Sequence, residues 1–280
     1  MVHFEERNGL ILMKDQDLMT IKKFSELTGI SQSALRHYDE VDLFKPVKRD
    51  ENGYRYYSAP QTISANLIHV MHDATIPIRK IREFIKHREP EQILKLFRKQ
   101  ETELNRELLR IQRAYSILHV YCELIEEGLH EKNMDVHIRF LPEMPIELGP
   151  INDFSSGFLY DSYFYFLKQL ETRQISTSYP CGGFYDDMDS FMSAPGQPNR
   201  YFSQVPTGRD TKPAGEYLVG YSRGYYGKIG DLPETMLEYA KDHKLTFTGP
   251  VYEMYLFDEV VIANPDQYLI QVSVPVKKEI

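Results

Sequence analysis

The sequence predicts an α+β chain: a winged helix-turn-helix at the N-terminus, a long helix in the middle, and a duplicated strand–helix–strand domain after it. Three observations carry this prediction. Residues 20–57 hold two short helical segments around a tight turn, followed by a basic hairpin. Residues 91–127 contain neither glycine nor proline. Residues 134–280 repeat a strand–helix–strand pattern whose copies end alike, Cys181-Gly182-Gly183-Phe184-Tyr185-Asp186 against Thr248-Gly249-Pro250-Val251-Tyr252-Glu253.

Residues 1–13 match none of these patterns and read as a weakly ordered tail, with Met13 as an alternative start. The first helix then carries Ile21, Phe24 and Leu27 at the spacing that buries one face. Gly29 supplies the backbone freedom of a sharp turn, and Ser31 is a good N-cap for the second helix. That helix offers Gln32, Ser33 and Arg36 outward while Ala34 and Leu35 pack, which is how a recognition helix is presented to a major groove. A helix over 59–72 follows, packing through Ile63, Leu67, Ile68 and Met71. The next begins around Pro77, which is tolerated in a first turn, and continues through Ile81, Phe84 and Ile85.

In the long helix, Ile93, Phe97, Leu104, Leu108, Ile111, Tyr115, Leu118, Cys122 and Ile125 recur at gaps of three, four or seven, a heptad seam. Packing on its own domain is the other reading of such a helix. Beyond it, strands are expected around 136–141 and 181–187, with a helix over 156–173 between them. A second set follows: a strand over 215–223, a helix over 231–244 and a strand over 249–257. Residues 186–212, dominated by Gly, Pro and Asp, read as a loop. The duplication suggests an antiparallel sheet with helices to one side and a groove along a pseudo-two-fold.

The net charge of −8 is unevenly spread, since residues 14–88 carry 13 Lys and Arg against 10 Asp and Glu. A basic patch on an acidic body still neutralises phosphates, because counterion release is local. No apolar run approaches the ~18 residues of a membrane span and no signal-peptide pattern is present, so a cytoplasmic location is expected. Cys122 and Cys181 make no disulfide framework and are expected as free thiols. Soft-metal sensing needs convergent thiolates, so no metal site or cofactor is expected; Cys122 reads as a small buried hydrophobe.

Residues 20–57 resemble the MerR family of transcription regulators. The motifs that carry the resemblance are Arg36-His37-Tyr38, Asp42-Leu43-Phe44-Lys45-Pro46 and Gly53-Tyr54-Arg55-Tyr56-Tyr57. His37 stands where the family usually has a tyrosine. The candidate DNA contacts are Arg36, Tyr38, Lys45, Tyr54 and Arg55 for backbone and groove, Gln32 and Ser33 for base edges, and His37 and Tyr56 within the same motifs. The resemblance implies that the long helix pairs antiparallel with its mate, making a homodimer that reads a two-fold promoter operator in double-stranded DNA. It further implies activation of RNA polymerase by distortion of an overlong promoter spacer. The domains so defined are 14–88 for DNA binding, 89–130 for dimerisation and 131–280 for effector binding.

The C-terminal region resembles the GyrI-like effector domain of BmrR-type multidrug regulators. Fourteen of the twenty tyrosines lie there, and the chain has no tryptophan. Tyrosine gives a π face for cations and a hydroxyl that tolerates partial burial. Strand alternation puts Glu253 on one face with Val251, Tyr255 and Phe257. From the residues alone, this carboxylate is either solvated or paired with a Lys or Arg, or else awaits a cation. The resemblance favours a counterion for lipophilic cationic small molecules. It also implies Tyr163, Tyr179 and Tyr268 as pocket aromatics. Tyr225 and Tyr226 fall near family aromatic positions, whereas Gly224 and Ile229 occupy the matching spots; Tyr255 is added from alternation. A non-enzyme is expected. The alternatives are an effector domain that takes a neutral ligand or a protein partner, or a hydrolase-like domain using Glu253 as a base.

Overall fold

The computed structural model describes residues 6–7, 10–11, 18–86, 89–155 and 160–278. It divides into two compact units, Met1–Arg110 and Ile111–Ile280, with the break inside the long helix.

In the first unit, β1 (Glu6–Arg7) and β2 (Leu10–Ile11) form a minimal antiparallel pair within the segment expected as a tail. The rest of residues 1–13, including Met13, lies outside the described residues. Then follow β3 (Leu18–Thr20), α1 (Ile21–Thr28), α2 (Gln32–Glu40), β4 (Lys48–Arg49), β5 (Arg55–Ser58), α3 (Gln61–Asp73), α4 (Ile78–Lys86) and α5 (Pro90–His130). Strand β5 lies between β3 and β4, making a three-stranded wing. Thr20 caps α1 by accepting from the Lys23 amide, and Ser31 caps α2 by accepting from the Ala34 amide at 3.1 Å. Gly29 ends α1 at φ 73°, a left-handed conformation that costs glycine nothing.

Phe24, Leu35, Phe44, Tyr57, Ala65, Ile68, Met71 and Ile81 form the core of this unit, with the Phe24 and Tyr57 rings stacked at 4.6 Å. Leu27, expected in that core, is 62% exposed, and Ile63 is 76% exposed. A helix in a small helical unit presents only a narrow stripe inward, and Phe24, Ala65 and Ile68 occupy it.

In the second unit the elements are β6 (Val136–Leu141), β7 (Met144–Ile151), α6 (Asp161–Thr172), β8 (Cys181–Tyr185), α7 (Met188–Ser193), β9 (Arg200–Gln204) and β10 (Asp210–Lys212). They continue with β11 (Gly215–Arg223), α8 (Leu232–Asp242), β12 (Leu245–Phe247), β13 (Val251–Phe257) and β14 (Leu269–Lys278). The antiparallel order is β10-β7-β9-β8-β13-β14-β11-β6, with β12 also pairing with β14. Two β–α–β–β repeats are visible in it: β7-α6-β8-β9 and β11-α8-β13-β14. They meet at the β8·β13 pair, where Gly183 lies opposite Glu253.

Three expectations change. The strand at 136–141 forms but does not open the first repeat; β7 does, and β6 pairs with β11 at the far edge. Pro145 and Pro150 obscured β7 in the sequence; near the sheet edge β7 accommodates them. Residues 186–212 contain α7, β9 and β10 rather than one loop. Strand β14 had no expected counterpart, although it binds β13, β11 and β12 together. The start of the helix expected over 156–173 falls partly outside the described residues.

On one sheet face, Leu232, Met236 and Ala240 of α8 cover Leu218, Ile270, Val272 and Val274. Phe166 of α6 stacks near Tyr201 on the same side as this layer, since Tyr201 is opposite in parity to Phe202 of the other core. On the second face, Val120 and Leu124 of α5 pack on Tyr217, Val219, Tyr252 and Met254. Gly128 permits this approach, because a Cβ there would lie 2.6 Å from the Phe257 ring. Cys122 is therefore exposed rather than buried: the helix turns Val120 and Leu124 to the sheet and Cys122 away. No helix among the described residues is long and apolar enough to cross a membrane.

Candidate functional site

In the first unit, the recognition helix and the wing are tied by one residue that the sequence reading missed. Asp39, buried at the end of α2, accepts from Arg49 Nη2 at 2.6 and 2.7 Å and from Arg55 Nε at 2.6 Å. Burial by itself raises the Asp39 pKa, but the hydrogen bonds from Arg55 and Arg49 outweigh it and hold the carboxyl below its ordinary value. Arg55 thus serves first to lock the wing against α2.

Ser33, Arg36 and His37 stand along the outer side of α2, with Arg36 Nη2 3.3 Å from Gln32 Oε1. Lys45 is exposed and paired with Asp42 at 2.7 Å, and Tyr54 projects from the wing tip at 66% exposure. Tyr56 is half-buried, its hydroxyl 3.4 Å from Asp50. Tyr38 is a correction: only 3% exposed, it packs in the core with its ring 6.4 Å from His72. It falls one helical turn from Ala34 and Leu35, on the inward stripe of α2, rather than on the outer side with Ser33, Arg36 and His37.

In the second unit, Glu253 is 5% exposed at the centre of the repeat junction. The Tyr185 hydroxyl donates to Glu253 Oε2 at 2.7 Å and accepts from the Gly196 amide at 2.9 Å. Burial pushes the Glu253 carboxyl up to about 7, and the Tyr185 hydrogen bond opposes the rise only partly. Gly183 makes the space: a Cβ there would meet Glu253 Oε2 at 3.3 Å and Pro198 at 3.0 Å. Tyr255 mirrors Tyr185, its hydroxyl accepting from the Gly227 amide at 2.9 Å. Gly196 and Gly227 touch each other, a Cβ on Gly196 falling 2.6 Å from the Gly227 Cα.

Tyr226 joins Tyr255 at 4.7 Å and Tyr268 at 5.3 Å, and Tyr225 lies 5.3 Å from Tyr226. Tyr163 meets Tyr201 edge-on at 5.3 Å. Burial, then the Glu253 carboxylate, pushes the Tyr201 hydroxyl up to about 12. Tyr163, Tyr201, Tyr225, Tyr226, Tyr255 and Tyr268 thus share one aromatic neighbourhood with Glu253.

Two expected neighbours of Glu253 do not join it. Tyr179 packs in the core under α5, and its hydroxyl bonds Ser116 at 3.0 Å. Phe257 also packs in that core beside Leu256, because a bulge between Tyr255 and Phe257 breaks the alternation. Tyr185 and Tyr201 were missed. Tyr201 lies in the segment read as a loop, whereas Tyr185 shares strand parity with Gly183, a signal readable once the register is known.

Elsewhere, Glu127 of α5 is a hub that receives Arg139, the Tyr221 hydroxyl at 3.1 Å and Gln271 at 2.7 Å. Glu131, Asp135 and His137 converge nearby, with Glu131 paired to Arg139 and Asp135 to His137.

A winged helix-turn-helix locked to its wing, followed by a separate domain with a buried acid among tyrosines, defines a DNA-binding regulator. Residues 20–57 match the family described as MerR family regulatory protein. The Multidrug-efflux transporter 2 regulator of Bacillus subtilis (strain 168) is 23% identical over 270 residues, covering 92% of this chain and 96% of that protein. The Multidrug-efflux transporter 1 regulator of the same strain is 23% identical over 275 residues, covering 91% and 96%. A cryo-EM structure of an EcmrR–DNA complex in EcmrR-RPo is 15% identical, covering 93% of this chain and 100% of that one, at a TM-score of 0.39.

Proposed function

We propose that this regulator senses lipophilic cations in its second unit and activates transcription by remodelling promoter DNA. The observation that carries the reading is Glu253: a buried carboxylate with no ion-pair partner among the described residues, held by Tyr185 among further tyrosines. A buried carboxylate without a counter-charge is costly, and a lipophilic cation supplies both the charge and a surface for the π faces. The names of the two Bacillus relatives, regulators of multidrug-efflux transporters, support the same ligand class.

In this reading residues 14–88 bind a two-fold operator, with Arg36, His37, Lys45 and Tyr54 on the backbone and Gln32 and Ser33 at base edges. Residues 89–130 form the dimer. Leu104, Leu108, Ile111, Tyr115 and Leu118 of α5 are all exposed in the single chain, an apolar stripe suited to an antiparallel mate. Residues 131–280 receive the ligand. Binding drives the dimer toward a conformation that bends and untwists an overlong spacer for RNA polymerase, and does so only by favouring that conformation.

The test is titration of the full chain with tetraphenylphosphonium, a permanently charged cation, in wild type and Glu253→Gln. A loss of tenfold or more, about 1.4 kcal/mol, is expected for the variant. Equal affinity for both proteins removes Glu253 as the counterion. Absence of binding to either would favour a neutral ligand or a protein partner.

A further inference from the structure

Glu253 is not the sole carboxylate on the tyrosine wall. Glu259 stands exposed two residues beyond β13 and accepts a hydrogen bond from the Tyr226 hydroxyl. The Tyr226 ring lies edge-on to Tyr255 at 4.7 Å, and Tyr255 is two residues from Glu253 on the same strand face. One pair of touching rings therefore joins the two acids.

A second pair leads the same way. Burial and then the Glu253 carboxylate raise the Tyr201 hydroxyl; Tyr163, in edge contact with Tyr201 at 5.3 Å, is raised by burial and then Cys181, with Glu259 the smallest contribution. Tyr225, beside Tyr226, and Tyr160 are both exposed. Among the described residues neither Glu253 nor Glu259 has an ion-pair partner. The nearby Arg223 is engaged elsewhere, over the Phe257 ring at 5.7 Å and on the Gln267 carbonyl at 3.0 Å.

We propose that this tyrosine cluster selects ligands carrying two positive centres, with the buried Glu253 holding one and the exposed Glu259 the other. The proposal rests on the cation-sensing reading above and adds a ligand class to it. The tyrosine rings between the acids suit a flat or alkyl spacer, which they contact through their faces. Six residues of extended chain set an upper limit of about 20 Å on the Cα separation of the two acids. A monocation engages Glu253 and leaves the Glu259 carboxylate solvated. A dication gains the Glu259 contact without a second loss of translational freedom, as in any linked pair of sites. Because Glu259 is solvated, that gain is modest, about three- to tenfold, and weakens with salt.

The test compares two probes on the full chain: a bis-quinolinium joined by a decamethylene chain, and one quinolinium bearing the same chain with a methyl end. Wild type is expected to prefer the dication by about three- to tenfold beyond the statistical factor of two. Glu259→Gln should abolish the preference and leave monocation affinity unchanged; the amide still accepts from Tyr226, and the site is exposed, so the fold is kept. Glu253→Gln should weaken both probes. If the preference is absent or survives Glu259→Gln, while Glu253→Gln still weakens the monocation, the two-centre proposal falls and the cation-sensing reading stands. A Glu259→Gln loss shared equally by both probes also overturns it. Failure of both probes to bind wild type removes the proposal and the reading together.

Discussion

Protonation of Glu253 and capture of a cation compete for the same carboxylate, so ligand affinity and fold stability depend on pH in linked ways. Burial moves the Glu253 carboxyl from 4.5 to about 7. At about 1.36 kcal/mol per unit, the ionised form costs the empty protein about 3 kcal/mol. The folded pKa lies above the unfolded one, so between 4.5 and about 7 the native state binds more protons than the unfolded chain. This contribution is therefore fully present below 4.5 and is lost as pH rises through 7.

Glu253→Gln removes the titration and keeps an acceptor for the Tyr185 hydroxyl. The variant should be more stable than wild type at pH 8, by up to about 3 kcal/mol, with no advantage near pH 4.5. A permanent cation, by contrast, should bind wild type with an affinity that falls about tenfold per pH unit below about pH 7, releasing close to one proton. Urea unfolding across about pH 5–9 measures the first effect, and calorimetry in two buffers of different ionisation enthalpy counts the protons of the second. Affinity that stays flat from about pH 5.5 to 8, or a Glu253→Gln variant less stable than wild type at pH 8, would refute the reasoning.

Other consequences follow from particular contacts. Asp39→Ala strands two guanidinium groups at the joint between α2 and the wing; a loss of about 2–4 kcal/mol in unfolding free energy and a marked drop in operator affinity by gel shift are expected. Tyr38→Phe should leave operator affinity within about twofold of wild type, whereas Arg36→Ala should reduce it together with the salt slope, as seen by fluorescence anisotropy. Gly182→Ala would set a Cβ 2.3 Å from the Glu253 carbonyl oxygen, so about 1–3 kcal/mol of stability should be lost on chemical denaturation. Glu127→Ala removes the shared acceptor of Arg139, Tyr221 and Gln271; a fall of about 2–4 kcal/mol measured in urea is expected.

The local signals in the first unit were strong ones. Ser31 and Gly29 announced the ends of two helices through side-chain capping and left-handed backbone, both properties of single residues. The long glycine- and proline-free run became one helix from Pro90 to His130 for the same reason. The second unit was legible as a duplication, yet its strands were not all legible: β7 is interrupted by prolines, and β9 and β10 are short and flanked by turn residues.

What sequence alone determined was therefore the regulator's head, the connecting helix and the presence of an acid within a tyrosine-rich strand, because caps, turns and periodicity act within a few residues. Only the tertiary structure decided which side of the sheet each aromatic joins. Sheet register and a single bulge send Phe257 away from Glu253, packing under α5 claims Tyr179, and the distant Tyr185 and Tyr201 come in. Face membership in a sheet depends on long-range strand pairing, and a one-residue shift inverts it, so no local pattern in the chain carries that information.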